Sequence, residues 1–73
     1  MTISPSQAKA ARELLGWSKV KLALQSGVGS FVIEKFERGA RPLRPESLDA
    51  LRSALEAAGV EFTKTGAGLK KAT

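Results

Sequence analysis

Glycines at positions 16, 27, 39 and 59 cut the chain into short runs, and in each run the apolar residues recur at helical spacing. No run is long enough for more than a few turns of helix. A chain punctuated in this way buries its apolar stripes only by packing several short helices against one another. At 73 residues there is room for one small core, so stability has to come from close helix packing or from association with a second copy.

The first run opens on Ser4-Pro5-Ser6-Gln7. Ser4 is a suitable N-cap, Pro5 suits the first helical position, and Gln7 reaches back as in a capping box. The spacing predicts a helix from about Pro5 to Gly16 with Ala8, Ala11, Leu14 and Leu15 inward and Ile3 stapled to its first turn. Ser18 caps a second helix reaching about Ser26, with Leu22 and Ala23 inward and Val20 partly covered. After the Gly27 turn a third helix runs from Ser30 to Arg38, with Val32, Ile33 and Phe36 inward. Two short helices across a tight glycine turn make a helix-turn-helix.

Gly39 to Pro45 carries two prolines and two arginines, which predicts an extended loop with basic side chains pointing outward. A fourth helix starts at Pro45, with Glu46 near its positive end and Leu48, Leu51, Ala54, Leu55 and Ala58 as its stripe. Val60 to Thr63 alternates like a short strand, and Lys64 to Thr73 reads as a flexible basic tail. The expected organisation is a domain over residues 1–63 followed by a tail over 64–73. The expected fold class is all-α, a compact bundle of four to five helices with a possible short C-terminal strand.

Net charge is +5, and it is unevenly placed. The first forty-five residues hold most of the excess, residues 46–61 are acidic, and Lys64, Lys70 and Lys71 restore basic charge at the end. Such an imbalance suits a polyanionic partner, although an excess of this size also serves solubility alone. The chain has neither Cys nor His, which removes disulfides, thiolate nucleophiles and zinc-finger ligands, and no catalytic residue, metal site or cofactor is expected. The acids Glu34, Glu37, Glu46 and Glu61 fall in no spacing that would give an enzyme mechanism. No apolar run is long enough for a membrane span or a signal peptide, so a cytoplasmic protein is expected.

Gly16-Trp17-Ser18, Leu22-Ala23, Gly27-Val28, Ile33 and Phe36-Glu37-Arg38-Gly39 together resemble the signature of the Cro and phage-repressor-like (xenobiotic-response-element) family. The resemblance covers residues 3 to about 59. It implies a lambda-repressor-like bundle, with double-stranded DNA as the partner in a bacterial or phage setting and dimeric binding to an inverted repeat. It places Ser30, Phe31, Glu34 and Lys35 at the base edges. There Ser30 can exchange hydrogen bonds, Phe31 can pack on a thymine methyl, Glu34 can accept from a cytosine amine and Lys35 can donate to guanine. Other readings are a core or partner-facing aromatic for Phe31 and a phosphate contact for Lys35.

The same resemblance puts Lys19, Arg38, Arg41 and Arg44 on the DNA backbone. It also makes Arg12 and Glu37 a buried ion pair tying the first helix to the third. Lys19 departs from the family's usual glutamine, and Gly29 from its usual Ser or Thr cap, which weakens the start of the third helix. Leu51, Leu55, Ala58, Val60 and Phe62 are the candidates for a homodimer surface, with the strand pairing to its own copy. The expected function is a sequence-specific transcription regulator, a repressor or autoregulator. The alternative is a protein-interaction module on the same scaffold, antitoxin-like or antiactivator-like, with Phe31 as its anchor.

Overall fold

Local chemistry starts the N-terminal helix where the sequence places it. Ser4 Oγ accepts from the Gln7 amide at 3.1 Å, and Gln7 Oε1 accepts from the Ser4 amide at 2.8 Å, which completes the capping box. The computed structural model describes residues 3–70. Helices α1 (Pro5–Leu14), α2 (Lys19–Ser26), α3 (Ser30–Glu37) and α4 (Pro45–Ala57) are followed by strands β1 (Val60–Phe62) and β2 (Ala67–Leu69). No helix among the described residues is long and apolar enough to cross a membrane.

One core holds these elements together. Ile3 and α1 residues Ala8 and Ala11 pack with Leu22, Val28, Ile33, Phe36, Leu51, Leu55 and Val60, all buried. Each large aliphatic side chain removed from water in this way contributes about 1.5–3 kcal/mol. The turn from α2 to α3 depends on two local devices. Gly27 takes a φ of +78°, a left-handed backbone that side chains disfavour, and its amide closes onto the Ala23 carbonyl. Ser26 Oγ donates to the Leu22 carbonyl at 2.7 Å and accepts from the Val28 amide at 3.2 Å, so the chain bends sharply and Val28 drops into the core. Gly29 caps α3 without any side-chain hydrogen bond.

Three residues expected on apolar stripes lie outside them. Leu14, Val20 and Val32 are exposed, where the periodicity placed Leu14 and Val32 inward and Val20 partly covered. At 3.6 residues per turn Leu14 and Val32 sit roughly 40–60° beyond the arc their helices bury, and Val20 lies about 160° from Leu22, on nearly the opposite face. That arc is centred on Ala8, Ala11 and Arg12 in α1, on Leu22 in α2, and on Ile33 and Phe36 in α3.

A second correction concerns the proposed dimer surface. Leu51, Leu55 and Val60 are fully buried inside one copy, because α2, β1 and α1 pack against α4. Ala58 is exposed and Phe62 half-buried, packed against the same core.

The C-terminal segment holds the strand expected at Val60 to Thr63 and adds a second one beyond the expected fold class. β1 pairs antiparallel with β2, Val60 opposite Leu69, Glu61 opposite Gly68 and Phe62 opposite Ala67. The segment from Lys64 therefore contains a strand where a flexible tail was expected; residues 71–73 of that tail lie outside the described residues. β1 takes β2 of its own chain as its strand partner on one edge. The molecule is a small helix-rich domain of four helices and a two-stranded sheet.

Gln7 accounts for the docking of this hairpin. Its Nε2 donates to the Thr63 carbonyl at 2.8 Å and the Gly66 carbonyl at 3.2 Å, so the residue that caps α1 also holds the β1–β2 turn. Gln7→Glu keeps the capping acceptor and sets a carboxylate against two carbonyl oxygens. It is expected to cost about 1–3 kcal/mol, read by denaturant unfolding, with faster exchange of the hairpin amides.

Candidate nucleic-acid interface

α3 is aimed by a buried ion pair. Arg12 Nε meets Glu37 Oε2 at 2.8 Å and Arg12 Nη2 meets Glu37 Oε1 at 2.9 Å, a two-pronged contact between α1 and the last turn of α3. Arg12 Nη1 donates to the Trp17 carbonyl at 2.8 Å, so the connection to α2 is fixed as well. The two side chains are 11% and 3% exposed. Hydrogen bonding to Glu37 holds the Arg12 guanidinium above its usual range, helped by the charges of Glu37 and Glu13 and opposed by burial.

With Ile33, Phe36 and Glu37 turned inward, the opposite face of α3 presents Phe31, Glu34, Lys35 and Arg38. Phe31 is 67% exposed, which rules out the reading that made it a core aromatic. Lys35 Nζ lies 4.6 Å from the centre of the Phe31 ring, one helical turn away, so each side chain restrains the other.

Lys19, Val20, Ser30, Phe31 and Glu34 line an open concavity of about 340 Å³ between the start of α2 and the first turns of α3. The fold thus brings the expected backbone contact Lys19 together with three of the four expected base readers. Lys19 Nζ and Glu34 Oε1 are 3.8 Å apart across it, both about 40% exposed. A pair this open to water contributes little to stability.

Arg41 and Arg44 are exposed on the loop after α3 and line a second depression, of about 230 Å³, with Val32 and Ser47. Leu43, which also borders this depression, is half-buried and packs on the core, which anchors the loop between the two arginines. Arg38 is exposed at the end of α3.

Val20 was not among the expected site residues, yet it belongs to the concavity. Its signal was present in the sequence: Val20 and Leu24 are four apart and share a face of α2 that excludes Leu22. Neither a scan against protein-family models nor a search of curated proteins finds a match to this chain.

Proposed function

We propose that the protein is a sequence-specific DNA-binding transcription regulator whose α2 and α3 act as a helix-turn-helix of the phage-repressor type. The observation that carries this reading is the outward face of α3. A helix braced through Arg12 and Glu37 presents Phe31, Glu34, Lys35 and Arg38 side by side, with Lys19 of α2 at its edge. A helix of this kind, held rigidly and flanked by cations, suits the major groove, which admits one α-helix and displays donors, acceptors and methyl groups. Lys19, Arg38, Arg41 and Arg44 would neutralise phosphates on either side.

One such domain reads only a few base pairs, so the protein acts as a homodimer on two half-sites about 34 Å apart, in the cytoplasm of a bacterial or phage-infected cell. The dimer surface must be one that the core does not use, which leaves Ala58 and the exposed part of Phe62 from the expected set.

Selection of bound duplexes from a random DNA library, followed by gel shift at two salt concentrations, tests the reading. An enriched inverted repeat supports it, and sequence-blind weak binding sinks it. Arg41→Ala should weaken binding to all sequences alike and reduce the salt slope by about 0.9, the share of one phosphate contact.

A second reading has its own observation. Val20, Leu24 and Phe31 are all more than half exposed, Leu24 at 77%, and an apolar surface on adjacent helices also suits a protein partner. A protein-interaction module of that kind would bind nonspecific duplex weakly and with little salt dependence.

A further inference from the structure

Val20 and Phe31 come from different helices, are 60% and 67% exposed, and share the walls of the concavity between α2 and α3. Two large apolar side chains left in water next to each other favour an occupant that covers them. Their surroundings restrict its chemistry. Lys19 stands at the rim, and Lys35 is stacked on Phe31 without lining the concavity, so the apolar floor is flanked by cations. Within the concavity Lys19 is balanced by Glu34 at 3.8 Å. The positive excess that favours a polyanion therefore comes from Lys35 beside Phe31 and from the exposed Arg38, Arg41 and Arg44, while the floor itself favours a small apolar projection. In the major groove of a duplex the apolar group displayed on base edges is the C5 methyl of a pyrimidine.

We propose that Val20 and Phe31 form a methyl-reading notch for C5-methylated pyrimidines, so that binding responds to this methyl group on thymine or on 5-methylcytosine. The inference rests on the DNA-binding reading and goes beyond it. It makes Val20, a residue of the bracing helix, a determinant of specificity, and it makes recognition sensitive to cytosine methylation. Glu34 lines the same notch and is placed to accept from the N4 amine that 5-methylcytosine carries beside its methyl.

The test uses the full chain and the duplex enriched from the random library. Each thymine is replaced in turn by deoxyuridine, which removes the methyl alone, and each cytosine by 5-methylcytosine, which adds it. At one position in each half-site the methylated base should bind about fourfold tighter than its unmethylated counterpart, the worth of one buried methyl group. Whether that base is thymine or cytosine identifies the source. Val20→Ala and Phe31→Ala should each bring the ratio to about one, with thermal melts confirming that both variants fold.

A ratio of one at every position of a duplex that the protein binds specifically overturns the notch and leaves the DNA-binding reading standing. A ratio that survives both substitutions overturns it as well. Failure to bind any duplex removes the DNA-binding reading and the notch together.

Discussion

Glu37→Ala should destabilise the domain by about 3–5 kcal/mol, the penalty for leaving one member of a desolvated ion pair without its partner. Glu37 is 3% exposed and contacts Arg12 through both carboxylate oxygens, so the substitution strands a guanidinium that is itself 11% exposed. Arg12 keeps its bond to the Trp17 carbonyl, which holds the charge in place instead of letting it swing into solvent. Domains of this size are stable by roughly 4–11 kcal/mol, so the substitution removes a large share of the total. A thermal melt should fall by at least about 12 °C. A shift of only a few degrees would mean that water reaches the pair. Replacing both residues, Arg12→Met with Glu37→Met, should recover much of the loss, because no charge is then buried alone. That double variant separates the cost of stranding a charge from the worth of the pair.

Leu51→Ala comes next in size, at about 2–5 kcal/mol, from lost burial together with the cavity left behind. Leu51 is fully buried in a single copy, against helices and strands of its own chain, although its spacing on α4 suits a surface for a second copy equally well. Denaturant unfolding should show a lower midpoint with an unchanged slope, at every protein concentration tested. The nearby Ala58 is exposed, and Ala58→Ser should stay within about 0.5 kcal/mol of the parent. Unaltered unfolding of Leu51→Ala combined with a change in oligomeric state would return Leu51 to the surface.

The two predictions bear on how function is built. The first concerns what aims α3, and the second what keeps the stripe of α4 from being a docking face. Because that stripe is used up internally, it is not available to a second copy, and the proposed dimer has to use other surface. The residues proposed to meet DNA contribute little to stability: Phe31, Val20 and Lys19 lie on the surface, and their one ion pair is open to water. They are free to be set by recognition.

Much of this was legible in the residues alone. Ser4 and Gln7, Ser18 and Gly27 specify helix ends through hydrogen bonds and backbone conformations that reach only a few positions along the chain. The first two helices follow from that local chemistry, and so does the Gly27 turn between α2 and α3, whereas α3 and α4 begin without a side-chain cap and are marked by their apolar periodicity. The residues proposed for base reading share one face of α3 because of helical periodicity, which needs no tertiary information.

Partners far apart in sequence were decided only when the chain closed. Gln7 meets Thr63 and Gly66 across more than fifty residues, and that contact with strand pairing orders a segment whose glycines and lysines read as a tail. The fates of Leu51, Leu55 and Val60 were settled in the same way, since an apolar stripe records that it must be covered and says nothing about by whom. Val20 marks the same boundary from the other side. The sequence reading had it partly covered, and only the packing of α2 against α3 left it exposed beside the concavity that Phe31 also lines, because a notch between two helices exists only once their crossing is fixed.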